Sequence, residues 1–450
     1  MNSSISLIFD LLTISLSIYL SSLLVLGPDI NIFSYHTGPT IFILLASVLS
    51  FYIFNLYDTP KLRKSGETAI RLAAGVGLAN ILAGFVSYVF GHWQFPQWLF
   101  ILQAIISYPL LFGLRKLSSA MHTSGGKERV LIVGLGNSAQ ELARVMGDKE
   151  GEYQVVGYVV DDKEQWGVGP EGLFIGGPVG NVLSIAQAQQ AKTIVLADEP
   201  QNLNAHMDIL LQAKLSGIVV EEMVNAYERV TNRIPVRFIQ DRWLLLEQGF
   251  SLYSKEVIRK LKRAMDIILS SLLLLLLGPL MLVVALLIRR DSPGPSIFRQ
   301  SRVGEGKKEF TLYKFRSMVQ DAEKNGAVWA EQHDTRVTKI GYWIRRFRID
   351  ELPQLVNVLK GEMSLVGPRP ERMEFVQKLE QTIPYYYLRH TVKPGITGWA
   401  QIMYPYGATQ EDALRKLEYE LFYIKNMSLL LDVKILCRTI GVMVFGEGAR

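Results

Sequence analysis

Cysteine is almost absent: Cys437 stands alone in 450 residues, which excludes a framework of internal disulfides. The six histidines are scattered and show no metal-ligand spacing, which removes a histidine-built metal centre. A reduced, cytoplasm-facing catalytic part is the natural expectation. The first residues lack the basic n-region and small-residue cleavage site of a secretory signal, so the opening apolar run is expected to be retained. Charge is also scarce. Only 20% of residues are charged against 49% hydrophobic, and the charges are unevenly spread, as in membrane segments joined to soluble domains. The length exceeds one ordinary domain and predicts two or three cores. The formal net charge of +6 suits an anionic partner without choosing among nucleic acid, lipid headgroups and a phosphorylated substrate.

Four apolar stretches, at 5–26, 40–57, 70–90 and 95–114, are each about long enough to cross a bilayer. The connection holding Lys61, Arg63, Lys64 and Arg71 is basic, as is Arg115-Lys116, while the other two connections contain no Lys or Arg. Positive-inside bias then places both termini of this bundle, taken as residues 1–118, in the cytoplasm. A soluble helical core is disfavoured, because soluble helices rarely stay apolar on every face. Arg71, near a span end, is placed to snorkel.

After the turn-like Ser124-Gly125-Gly126, the segment 129–139 reads as a buried strand, a glycine turn and the start of a helix. Further strand-like runs at 155–160, 193–197 and 217–221 alternate with helical stretches, predicting a Rossmann-like α/β domain over 126–245. Gly134 and Gly136 with Ala139 fit a GxGxxA phosphate-binding turn, and Asp161 or Asp162 would approach a ribose hydroxyl. The same glycines also let a helix pack closely on its strand, so a structural or regulatory domain is the competing reading.

Between Lys260, Lys262 and Arg263 on one side and Arg289-Arg290 on the other, residues 267–288 form an uncharged apolar run. Length alone says transmembrane helix. Both flanks are basic, however, and Gly278-Pro279 sits near the middle, where proline removes a backbone donor. A re-entrant hairpin over 264–288, broken at Gly278 and Pro279, satisfies both facts. A kinked spanning helix is the alternative, and it would put the following domain on the outer face.

From Asp291 onward the chain becomes basic, proline-punctuated and rich in paired charges. Asp350 and Glu351 precede Pro353, a residue favoured in a first helical turn, so the acidic pair is expected at a helix start. Helix amides and the nearby Arg345, Arg346 and Arg348 would hold Asp350 ionised, as a carboxylate nucleophile attacking a diphosphate requires. Adjacent acids can divide the work, one attacking and one holding Mg²⁺. The blander alternative makes Asp350 an N-cap and the arginines a solvated face. Lys314, Arg316 and Arg369 are open to the same alternative, although Pro368 and Pro370 would fix the backbone around Arg369.

The segments Lys314-Phe-Arg-Ser-Met, Asp350-Glu-Leu-Pro-Gln-Leu, Leu365-Val-Gly-Pro-Arg-Pro and Pro394-Gly-Ile-Thr-Gly-Trp-Ala-Gln closely resemble the bacterial sugar transferases called monotopic phosphoglycosyl transferases, or polyprenyl glycosylphosphotransferases. The resemblance covers residues 255–450, and the bundle with the Rossmann-like domain looks like the large subclass of that family. It implies a multi-domain membrane protein: a four-helix transmembrane bundle, a Rossmann-like α/β domain, and a mainly helical monotopic catalytic domain with a re-entrant helix. It also implies a two-step reaction. Asp350 would attack a UDP-sugar, release UMP and carry a covalent phosphosugar, which then passes to undecaprenyl (polyprenyl) phosphate. Glu351 would hold Mg²⁺, with Lys314, Arg316, Arg345 and Arg346 as phosphate contacts and Pro368-Arg369-Pro370 as the nucleotide-binding turn. Arg348-Ile349 departs from the Thr-Ser-Leu or Ser-Leu common before the dyad in that family and adds positive charge there. The ending 445–450 resembles members linked to exopolysaccharide systems.

The implied partners are a UDP-sugar, undecaprenyl phosphate and membrane lipid, with no nucleic acid and with a homo-oligomer left open. The implied location is the bacterial inner membrane, multi-pass, with the catalytic domain on the cytoplasmic face. The stretch 429–444, with Asp432, Lys434 and Arg438 among apolar residues, would lie flat in the interface or form a core helix. Two other function classes compete. One is a membrane-tethered, nucleotide-sensing regulator with an inactive transferase domain, against which the intact dyad and arginines argue. The other is a nucleotide-sugar dehydratase or epimerase, which lacks the Tyr-x-x-x-Lys pair after its glycine turn.

Overall fold

The computed structural model describes residues 3–27, 37–54, 56–57, 65–89, 97–122, 127–148, 152–169, 172–197, 203–250, 255–319, 336–404, 407 and 409–445. Lys61, Arg63, Lys64, the Ser124-Gly125-Gly126 turn and residues 446–450 lie outside the described residues. The chain forms two compact units, Met1–Gly125 with Leu430–Ala449, and Gly126–Leu429.

The first unit is built from α1 (Ser3–Leu26), α2 (Thr37–Ile53), α3 (Ser65–Val89) and α4 (Gln97–His122). Three of these are long and apolar enough to cross a membrane, whereas the second apolar stretch is helical only to Ile53 and is shorter than 40–57 suggested. Ile14, Ile18, Ile43, Phe51, Leu72, Leu99 and Leu111 meet in its interior, while leucines such as Leu24, Leu45 and Leu12 face outward. Several polar groups inside find partners, which offsets the cost of burying them in an apolar bundle. Arg115 donates to Asp10 at 2.7 Å and to the Leu56 carbonyl at 3.0 Å, and Gln103 donates to Ser17 Oγ at 3.1 Å. Arg71 does not snorkel outward: it is buried and donates to the Phe54 carbonyl. Cys437, within the last helix (Leu429–Phe445), belongs to the same apolar cluster, and a Cβ on Gly441 would sit 2.3 Å from the Ile53 carbonyl. One face of this helix therefore packs in the bundle, while Leu430, Val433 and Ile440 are exposed on it.

The second unit opens with a six-stranded sheet of β1 (Glu128–Val133), β2 (Tyr153–Val159), β3 (Gly167–Val168), β4 (Phe174–Gly176), β5 (Thr193–Leu196) and β6 (Val219–Glu222). Their spatial order is β3-β4-β2-β1-β5-β6, parallel throughout except for the β3-β4 pair. The unbroken apolar run Val130-Leu-Ile-Val133 is the signature of a strand covered on both faces, and all four residues are buried. Helices α5 (Asn137–Gly147), α6 (Val182–Ala188) and α7 (Leu203–Leu215) make the crossovers, and α8 (Met223–Thr231) and α9 (Asp241–Leu246) lead out of the sheet.

The same unit continues with the long α10 (Glu256–Asp291), the antiparallel hairpin β7 (Ile297–Val303) and β8 (Glu309–Phe315), and α11 (Lys339–Arg346). Then follow α12 (Gln354–Lys360), β9 (Ser364–Val366), α13 (Met373–Thr382), β10 (Gly395–Thr397), α14 (Trp399–Met403) and α15 (Gln410–Lys425), with β9 and β10 paired in parallel. The break expected in α10 does not divide it. Gly278 and Pro279 lie within one helix of 36 residues, because proline removes a single donor and bends a helix while the leucines on either side keep helical geometry.

Both ends of α10 are anchored on one domain. Near its start, Asp266 accepts from Ser364 Oγ at 3.1 Å and Leu365 N at 3.0 Å, and Arg263 donates to the Leu359 carbonyl at 2.7 Å. Near its end, Val284 and Ile288 pack with Phe315 and Ile344. The turns between are bare and apolar, with Leu275 77% and Leu276 64% exposed. Leucines so exposed belong in lipid rather than water.

Candidate active site

The dyad is set by a reversal of the chain. Thr338 caps α11 by accepting from Gly341 N at 2.9 Å, and the helix ends at Arg345-Arg346. Arg348 then takes a left-handed conformation, φ 53°, which costs a non-glycine residue about 1–3 kcal/mol and turns the chain into a 3₁₀ segment, Ile349–Glu351. That segment runs through Pro353, at φ −61°, into α12. Asp350 and Glu351 therefore stand in the turn that opens a helix, as the proline position indicated.

Glu351 is buried and is the better-held acid. One carboxylate oxygen accepts from Arg369 at 2.9 Å and from Lys314 at 3.3 Å, and the other lies 3.8 Å from Arg348. Burial alone would raise its pKa, but Arg369, Lys314 and Arg348 outweigh that and keep it well below the usual range. Asp350 shifts the opposite way. Burial and then the Glu351 charge lift it above an ordinary aspartate, with Lys314, Arg369 and Arg345 pulling back only in part. The sequence reading had the arginines serving Asp350. Of Arg345, Arg346 and Arg348, the first does act on Asp350, the last instead faces Glu351 at 3.8 Å, and the closest cations of Glu351 are Arg369 and Lys314.

Not every expected contact is present. Arg345 is near enough to Asp350 to act on it, but Arg346, one position on around α11, lies over the Trp343 and Phe347 rings at 5.7 and 6.0 Å. Arg316 is buried and donates to the Ser292 and Pro293 carbonyls at 2.7 and 2.9 Å, closing the loop after α10 instead of standing free for a phosphate. The Pro368-Arg369-Pro370 turn is held carbonyl by carbonyl. Gly395 N donates to Pro368 at 2.8 Å, Arg389 to Arg369 at 2.8 Å and Arg302 to Pro370 at 3.1 Å.

Three supports went unread in the sequence. Asn357 pins α12 to β8, accepting from Tyr313 N at 3.1 Å and donating to the Thr311 carbonyl and Glu362, both at 2.7 Å. Asp266, an acid at the very edge of the apolar run, ties α10 to β9. Arg389 pairs with Glu420 in the interior. Only Asp266 carried a signal, since a carboxylate beside twenty apolar residues needs a partner.

At the other end of the unit, Gly134 has φ 105° where β1 ends, and Gly136 caps α5 in an extended conformation. Gly134 meets the turn geometry that favours glycine. Neither candidate ribose carboxylate is free: Asp161 accepts from Val179 N at 2.8 Å, and Asp162 caps a 3₁₀ turn by accepting from Glu164 N at 3.0 Å.

An acidic dyad in a cradle of Lys314, Arg345, Arg348 and Arg369, on a domain whose long apolar helix is bare, marks a membrane-bound transferase. The chain belongs to the bacterial sugar transferase family, whose model matches residues 257–446. An undecaprenyl-phosphate glucose phosphotransferase of Komagataeibacter xylinus is 33% identical over 438 residues, spanning 90% of this chain and 78% of that protein. A UDP-N-acetylgalactosamine-undecaprenyl-phosphate N-acetylgalactosaminephosphotransferase of Aeromonas hydrophila is 45% identical over 241 residues, covering 54% of this chain and 56% of its own. The exopolysaccharide production protein PSS of Rhizobium leguminosarum bv. phaseoli is 42% identical over 186 residues, 40% of this chain and 93% of that protein. The match thus spans little more than half of the Aeromonas relative's length.

Proposed function

We propose that this enzyme transfers a sugar 1-phosphate from a UDP-sugar to undecaprenyl phosphate, the first step in building an exopolysaccharide or other surface glycan. The observation that carries the reading is the division within the dyad: Glu351 accepts from Arg369 and Lys314 and faces Arg348 at 3.8 Å, while Asp350, beside it, makes no ion pair with these three. Asp350 attacks the sugar-bearing phosphorus, the bond to the bridging oxygen breaks, and UMP leaves with the electron pair. The phosphosugar is then bound to the Asp350 carboxylate. A phosphate oxygen of undecaprenyl phosphate attacks the same phosphorus and frees Asp350. Lys314, Arg345 and Arg369 offset the charge of the phosphates in both steps.

Mg²⁺ suits this donor set. It is commonly held by one or two carboxylates with the remaining ligands from water and phosphate, and the Glu351 oxygen facing Arg348 is only loosely engaged. Glu351 would hold the ion, which when bound neutralises diphosphate charge.

We place the catalytic part at the cytoplasmic face of the inner membrane. A straight helix of 36 residues would be about 54 Å long, well beyond a hydrocarbon core of ~30 Å. Since both ends of α10 rest on one domain and its middle is bare, the helix enters the bilayer, bends at Gly278-Pro279 and returns. The strand order outward and back, β4-β2-β1 then β5-β6, supports a Rossmann-like assignment for the sheet.

The reading is tested with purified, detergent-solubilised enzyme, Mg²⁺, undecaprenyl phosphate and a panel of UDP-hexoses and UDP-acetamidohexoses. UMP release with one sugar, lost in Asp350→Asn, supports it and names the donor. Release that persists in Asp350→Asn removes the nucleophile assignment.

A further inference from the structure

Arg389 is 5% exposed and Glu420, on α15, 4%. They meet as a two-pronged pair, Nε to Oε2 at 2.9 Å and an Nη to Oε1 at 2.8 Å, and the Tyr386 hydroxyl accepts a third bond at 2.7 Å. Burying such a pair is costly, and well-packed apolar side chains of similar volume often stabilise a fold as well or better. What an apolar pair cannot supply is the remaining bond, from Arg389 to the carbonyl of Arg369 at 2.8 Å. The side chain of that same Arg369 reaches forward to Glu351 at 2.9 Å.

We infer that Arg389 is a positioning residue for the dyad, holding the Arg369 backbone from behind so that its guanidinium meets Glu351. Prolines on both sides restrict the turn, and Arg369, preceding Pro370, has few backbone conformations open to it. A single bond to its carbonyl therefore fixes where its side chain starts. Glu420 is itself fixed, because α15 is gripped on its other side. Glu418, two residues earlier and roughly 200° around the helix, accepts from Arg415 at 3.1 Å and lies 3.7 Å from Arg233, while its carbonyl accepts from Ile234 N at 3.0 Å. Arg233 and Ile234 follow α8 of the sheet region, so the α/β part of the chain braces the platform on which Arg389 rests.

The inference rests on the proposed reaction, and two readouts separate their fates. The pair is replaced by Arg389→Met with Glu420→Leu, which leaves no buried charge unpaired. Retained thermal unfolding is expected, with kcat for UMP release down about tenfold and KM for undecaprenyl phosphate unchanged, a barrier change of about 1.4 kcal/mol. In an Arg369→Ala background the same replacement costs nothing further, since Arg389 acts only through Arg369. An equal loss in both backgrounds overturns the inference. Hydrogen–deuterium exchange of residues 366–371 decides independently of turnover: the paired replacement speeds it selectively if Arg389 holds the turn, and wild-type exchange there overturns the inference. If wild-type enzyme releases no UMP at all, the reaction is wrong and the exchange result still judges Arg389.

Discussion

The Arg369 guanidinium meets Glu351 at 2.9 Å from a backbone turn 18 residues further along the chain, making Glu351, not Asp350, the anchored member of the dyad. Removing that guanidinium leaves a buried carboxylate short of its shortest ion pair. Arg369→Ala is expected to lower kcat by roughly 100-fold, the loss typical of one preorganised charge contact. Arg369→Lys recovers little, because the contact is made by a terminal guanidinium nitrogen that the shorter ammonium stem, starting from the same fixed turn, does not place at the same point. Steady-state UMP release for the two variants checks this, and a fully active lysine variant would count against a directional role.

Asn357 is wholly buried, with two hydrogen bonds from α12 to β8 and a third to Glu362. Asn357→Leu would strand the Tyr313 N–H and the Thr311 carbonyl. A loss of about 2–3 kcal/mol in unfolding free energy is expected, read by denaturant unfolding in detergent. A change below about 0.5 kcal/mol would show that water reaches those groups.

His390 is buried, and desolvation, with Arg389 and Lys307 adding repulsion, holds it down to about 3. Its folded pKa lies below its ordinary one, so the unfolded chain binds the extra proton between those values. Stability from this group is complete above about pH 6.5 and is lost as pH falls toward 3, at up to about 1.4 kcal/mol per unit. His390→Phe should flatten the unfolding midpoint between pH 6 and pH 4, roughly the window set by that shift. An unchanged slope in the variant would place the acid sensitivity elsewhere.

The course of α10 can be read by labelling. With Cys437 replaced by serine, single cysteines at Lys260 and Arg290 should both react with an impermeant maleimide in inside-out vesicles and neither in right-side-out ones. Labelling from opposite sides would mean that the helix spans.

Much of the site was legible because its chemistry is local. Pro353 placed the acidic pair at a helix start, and Lys314, Arg345 and Arg369 stood in motifs dense with charge and proline. Charge alone does not say where a side chain turns. Arg346 follows Arg345 by one residue and so points about 100° away around α11, onto its aromatic face. Arg316 follows the last residue of β8, where a neighbouring loop offered carbonyls. Asp266 and its Ser364 partner are 98 residues apart, and only folding brings them together. The strands β1 and β5 were legible because they are buried apolar runs, whereas the short β3 and β4, of two and three residues, carried no such signal. The continuity of α10 was missed because Pro279 was weighed as a helix breaker, whereas a proline removes one backbone donor and the helix continues on both sides of it.

The covalent step is the centre of the mechanism and can be observed directly. Enzyme mixed with Mg²⁺ and its UDP-sugar, without undecaprenyl phosphate, is quenched in acid and its peptides are weighed. A sugar phosphate on the peptide containing Asp350, absent in Asp350→Asn and discharged when undecaprenyl phosphate is added before the quench, is the expected result. UMP appearing only when the lipid is present, with no adduct on any peptide, would contradict it and mean direct transfer between the two substrates.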